Sequence, residues 1–135
     1  MVKRILLATL GSAVTGFLVG WLVMGLLFAG LMKEMIESAG SCMTAEPLMV
    51  YIVIANIVIA LFEIILFVRM GVNTFKAGLL NGAWITCLMI IWFDVWMFAQ
   101  FDFMQLKFMA FDIIGNTLIG TIAGGVGGWI LSKVK

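Results

Sequence analysis

The chain has no histidine, one proline, one tyrosine and two cysteines, and only 11% of its 135 residues are charged. Each shortage closes a class of chemistry. Without histidine there is no bis-imidazole ligation of haem iron and no Ser-His or Cys-His dyad for nucleophilic catalysis. Zinc-type ligand spacing is missing, and no glycine loop followed by Lys-Ser/Thr offers a phosphate cradle. A net charge of +1 supplies no basic surface for nucleic acid. The sequence therefore predicts no enzyme, no cofactor, no metal ligand set and no catalytic residue. It also lacks the polar side chains of a soluble domain, in which roughly a quarter of the residues are charged.

What fills the chain instead is hydrocarbon. Hydrophobic residues make up 64%, against roughly 45–50% in ordinary soluble domains. They fall in four runs, 5–31, 48–68, 77–99 and 108–131, each near the ~20 residues that a helix needs to cross a bilayer. None shows the polar face that a soluble bundle helix turns to water. The expectation is an all-α, four-helix, up-down transmembrane bundle forming one integral membrane domain over 1–135. Lys3-Arg4 before the first run imitates a secretory signal. That run exceeds the usual 7–15-residue core of such signals and ends in no small-residue cleavage site, so it is expected to be a retained span.

Charge predicts the orientation. With four spans, Lys3, Arg4, Arg69, Lys76, Lys133 and Lys135 fall at one face. Lys33 and Lys107 fall at the other, with Glu34, Glu37, Glu46 and Asp102. The positive-inside rule then puts both termini and the 69–76 loop in the cytoplasm. The links are short, which favours antiparallel neighbours. The longest, 32–47, ends in Glu46-Pro47, a plausible opening for the second span. The last, 100–107, extends its flanking helices. Cys42 sits in the outer loop and Cys87 within the third span, too far apart in depth for an intramolecular disulfide.

Small residues recur every four positions on two spans: Ala8, Ser12, Gly16 and Gly20 on the first, and Asn116, Gly120, Gly124, Gly128 and Ser132 on the fourth. Such ridges let helix backbones approach closely. Gly16, Gly20, Gly120, Gly124 and Gly128 are the candidate packing positions, with the two ridges meeting each other or another subunit. Gly78 and Gly82 add to the inner half of the third span. Trp92, Trp96 and Trp129 lie where rings anchor at headgroups, whereas Trp21 and Trp84 are deeper and expected between helices.

Three carboxylates interrupt the spans, at a cost of roughly 2.5–3.5 kcal/mol each at the membrane centre. Asp94 and Asp112 are expected near the outer interface, solvated there, with Asp112 also capping the fourth helix. Glu63 lies in the inner half of the second span, with Asn56 one heptad earlier on the same side. Together they form a candidate intramembrane polar site, open to a role in cation or proton binding or to pairing with Arg69 or Lys76. Met32, Met35, Cys42, Met43, Met49, Met97, Met104 and Met109 make the outer side rich in sulfur, which suits Cu(I) but also ordinary apolar packing.

Gly20-Trp21-Leu22 with Gly25, Lys76-Ala77-Gly78 with Gly82-Ala83, and Gly124-Gly125 with Gly128-Trp129 resemble small four-span bacterial membrane proteins of unknown function. The resemblance covers most of the chain and implies no activity. Small multidrug transporters and dual-topology fluoride channels are of similar size, but the first-span glutamate of the former is missing, as are the polar tracks of the latter. The leading expectation is a non-catalytic structural or accessory subunit, its partners being lipid and the transmembrane helices of itself or of other subunits. A small ion or proton channel or transporter built on Glu63 is second. Copper binding, or an enzyme acting on lipid through the outer carboxylates, is third. A cysteine engineered at position 3 or 133 is expected to react with an impermeant thiol reagent only after the membrane is opened; labelling of intact cells would reverse the orientation.

Overall fold

The computed structural model describes residues 1–44 and 46–134; Lys135, assigned above to the inner face, lies outside them. Among the described residues there are five α-helices and no strand: α1 (Val2–Leu22), α2 (Ala29–Ala39), α3 (Met49–Met70), α4 (Phe75–Gln100) and α5 (Leu106–Lys133). Four helical segments are long and apolar enough to cross a membrane: Val2–Leu27, Met49–Met70, Phe75–Gln100 and Leu106–Lys133. At 1.5 Å per residue α4 and α5 are about 40 Å long, more than the ~30 Å hydrocarbon core. The surface area is 8410 Å², against about 7,000 Å² for a soluble globule of this mass. The excess is apolar side chain: Leu80, Trp92, Leu106 and most of α3 face outward.

The first expected span and the loop after it need correction. Helix α1 runs into a π-helical turn at Val23–Leu27, breaks at Phe28 (φ −106°, ψ 19°), and continues as α2. Much of the expected 32–47 loop is thus helical. Its Lys33–Glu37 and Lys107–Glu34 ion pairs face outward, while Met32 and Met35 pack inward, so α2 is amphipathic. Pro47 precedes α3 by two residues and takes no part in its first turn. Trp21 and Trp84, expected between helices, are 62% and 49% exposed. Trp84 faces outward with its indole N–H donating to Asn81 Oδ1 at 2.9 Å.

A tight hairpin joins α3 to α4. Gly71 adopts the left-handed conformation (φ 72°), which lets Val72 N–H reach Phe67 O at 2.8 Å and Gly71 N–H reach Val68 O at 3.3 Å. This closes the exposed carbonyls of the helix end, and the buried Val72 and Phe67 side chains complete the motif. Thr74 Oγ1 then accepts from Ala77 N–H to start α4.

Helix α5 is the centre of the assembly. One face meets α4 in register: Gly78 lies against Gly124 and Gly128, Gly82 against Gly120 and Gly124, and Thr86 over Gly120. Its other small residues meet α1, where Gly11 faces Ile130, Gly16 faces Ala123, Gly20 faces Ile119, and Met24 covers Gly115. At the helix ends Arg4 Nε donates to Leu131 O at 2.9 Å. The glycine ridge of the last span thus seats on α4 rather than on the ridge of the first. Helix α3 packs chiefly on α1 and touches α4 little beyond the hairpin. Two apolar clusters fill the ends: Ala8, Ile64, Phe67, Val72, Ile85 and Leu131 at one, and Met104, Phe108 and Phe111 at the other.

A methyl group at Gly124 would stand 2.8 Å from Gly78 O and 2.9 Å from Gly82 Cα, and backbone cannot yield. At Gly20 the nearest atom is Ile119 Cδ1 at 3.7 Å. Gly124→Ala is therefore expected to destabilise the protein by roughly 1–3 kcal/mol, and Gly20→Ala by no more than about 0.5 kcal/mol, in thermal unfolding in detergent. Equal losses at the two positions would refute the assigned packing.

Candidate functional site

Between the two apolar clusters, by position along α1, α4 and α5, lies a cavity of about 140 Å³. All four spanning helices line it. Ser12 and Gly16 come from α1, Asn56, Ala60 and Glu63 from α3, Thr86 and Met89 from α4, and Asn116, Gly120 and Ala123 from α5. Five of its side chains carry oxygen, in a bundle whose other interior surfaces are largely hydrocarbon.

Among the described residues, Glu63 is the only charged group on its walls. The residue is 6% exposed, and Oε1 meets no hydrogen-bond donor among the described residues. It is not part of an ion pair with Arg69 or Lys76, both of which are exposed. A Cβ built at Gly82 or at Gly124 would stand 2.9 Å from Oε1. The carboxylate therefore rests in a notch that exists only because both neighbours are glycine. The same residues that bring α4 and α5 together make room for the charge between them.

Asn56 is the one residue among 49–59 that is not exposed. Its Nδ2 donates to Ala13 O at 2.6 Å, tying the first half of α3 to α1, and Gly16 leaves space for its Oδ1. Asn116 is turned in a similar way, with Nδ2 donating to Asp112 O at 3.0 Å. Ser12 is 1% exposed and its Oγ meets no partner among the described residues.

Farther toward the α4–α5 loop the same contact stripe carries a second polar centre. Along α4 the four-residue repeat passes Gly78, Gly82, Thr86 and Ile90 to Asp94; along α5 it passes Gly128, Gly124, Gly120 and Asn116 to Asp112. The two aspartate side chains face one another, and Asp112 also meets Asn116. Asp94 is fully buried, neither of its oxygens meets a donor among the described residues, and the group opposite is another carboxyl. A hydrogen bond can join them only when one carries a proton. Two expectations are overturned here. Asp94 is not solvated at the interface. Asp112 does not cap α5, which begins six residues earlier with Gln105 at its cap.

The sulfur-rich side resolves into packing. Met24, Met32, Met35, Met97 and Met109 surround Met104, Phe108 and Phe111, with Phe28 and Phe111 rings 5.6 Å apart. Cys42, Met43 and Met49 are exposed and lie outside this cluster. Both cysteines are free thiols. Among the described residues no three His, Cys, Asp or Glu side chains converge as a ligand group. Sequence reasoning missed Thr86, the role of Asn116 and the aspartate pair. The signal was present: the four-residue repeat, followed past the glycines on both helices, ends on the two aspartates.

In comparisons with known proteins, no family model, no curated protein and no solved structure matches the chain.

The geometry of the aspartate pair yields a test. Asp94→Asn places an amide donor opposite Asp112 and is expected to keep or raise the melting temperature. Asp94→Ala leaves Asp112 without that partner beside a new void and is expected to cost roughly 1–3 kcal/mol. If both variants lose stability equally, the two side chains do not bond.

Proposed function

We propose that this is a small polytopic protein of the bacterial cytoplasmic membrane, an up-down four-span bundle with both termini in the cytoplasm, that binds a small cation at Glu63 and carries it across the bilayer. The observation that supports this is one carboxylate, buried at mid-depth without a donor or basic partner among the described residues, on the wall of a cavity lined by four helices. Intramembrane carboxylates of this kind mark ion and proton pathways. A purely architectural residue would have its oxygens satisfied by a neighbouring helix, as Asn56 is by Ala13 O.

Apolar clusters lie to either side of the cavity: Ile64, Phe67 and Leu131 toward the basic end, and Phe108, Phe111 and their methionines toward the other, with the aspartate pair between. The orientation rests on Lys3, Arg4, Arg69, Lys76 and Lys133, which cluster at the first of these ends.

The accessory-subunit reading keeps one observation in its favour. Residues 49–59 of α3 expose every side chain but Asn56, including Val50 at 70% and Tyr51 at 68%. That is a continuous apolar face on which a helix of another subunit, or of a second copy, would fit.

Purified protein in liposomes separates the two. Cation transport predicts that an imposed gradient of protons or alkali ions dissipates through the wild-type protein and that Glu63→Gln falls to the rate of protein-free vesicles while still inserting and assembling. Inert vesicles, together with foreign subunits that co-purify in mild detergent, would replace transport by the accessory role.

A further inference from the structure

Resting on that reading, the geometry points to the identity of the cation: the cavity is a site for a partly dehydrated monovalent alkali ion of sodium size. The donor set argues for this first. Glu63, Ser12, Thr86, Asn56 and Asn116 present carboxylate, hydroxyl and amide oxygens from all four spanning helices. Each asparagine spends its N–H on a backbone carbonyl, at 2.6 Å to Ala13 O and 3.0 Å to Asp112 O. The amide oxygens are thereby left as the acceptors. Hard oxygen donors select alkali and alkaline-earth ions over soft metals. The single thioether, Met89, is outnumbered five to one.

Charge selects within that group. The walls hold one carboxylate and no lysine or arginine, so a monovalent ion is neutralised whereas a divalent ion would leave a net charge buried in hydrocarbon. Among the described residues that line the cavity, two oxygens are buried without a partner, on Ser12 (Oγ, residue 1% exposed) and Glu63 (Oε1, residue 6% exposed). A cavity of about 140 Å³ admits a small ion with about three waters, each occupying roughly 30 Å³. The oxygens on its walls can replace part of the hydration shell. A carboxylate is a strong-field ligand, and this favours sodium over the larger potassium.

The test uses purified full-length protein in detergent, titrated with NaCl at ionic strength held constant by choline chloride, and read by thermal unfolding and by calorimetry. Sodium is expected to raise the melting temperature saturably, on the order of 5 °C at concentrations well above the dissociation constant. Potassium should give a clearly smaller shift and choline none. Glu63→Gln should abolish the shift. Ser12→Ala, which removes only one oxygen from a small side chain and keeps the assay readable if the Glu63 variant fails to fold, should weaken sodium binding about tenfold. Equal shifts with sodium, potassium and choline, or sodium binding unchanged in Ser12→Ala, would overturn the assignment. Proton flux through wild-type protein in sodium-free liposomes, with no sodium effect on stability, would also overturn it while leaving transport through Glu63 standing.

Discussion

The backbone contact between α4 and α5 is the constraint from which the rest follows. In hydrocarbon, apolar side chains gain nothing by leaving lipid for protein, so helices must be held by close packing and by polar bonds. Gly78 and Gly82 against Gly120, Gly124 and Gly128 bring backbone directly against backbone. That approach fixes the register of the two helices. Register in turn decides that Thr86 falls over Gly120 and that Asp94 falls opposite Asp112. It also leaves the notch in which the Glu63 carboxylate sits. A single side chain larger than hydrogen in this stripe would disturb packing, the cavity and the aspartate pair together.

The interior is layered. An apolar cluster around Phe67 and Leu131 and another around Phe108 and Phe111 enclose the oxygen-bearing middle. In a soluble bundle this order would be wasteful, since buried polar atoms without partners cost free energy. Here the outer apolar layers separate the polar middle from both aqueous faces. The cost of burying Glu63, Ser12 and the aspartates is sustained by the packing of α5 against its neighbours on two sides.

The sequence makes some of this legible and hides the rest for physical reasons. The limits of the last three spans differ by one or two residues from the observed helices, because bilayer thickness imposes their length. Glu63 and Asn56 stand out because a polar residue in an apolar run has few explanations. Helix α2 is hidden by its charge: Lys33, Glu34 and Glu37 end the apolar run, although Met, Lys, Glu and Ile are all compatible with helix. The aspartate pair is hidden because hydropathy places each residue in depth but not against its neighbour. Depth alone suggests solvation at the interface; only the register of two helices reveals that they meet. Trp21 and Trp84 mislead for a related reason, since mid-membrane depth does not distinguish a lipid-facing side from a buried one.

The attachment of α3 is unequal along its length. Its hairpin end is anchored through Ile64, Phe67 and the turn, whereas the half nearer Met49 makes one side-chain hydrogen bond to α1, from Asn56 to Ala13 O. A segment with few buried contacts is the least costly to displace. Displacing that half would break this one bond and uncover the wall of the cavity that Asn56 forms, so the least firmly held stretch of the fold borders its polar chamber.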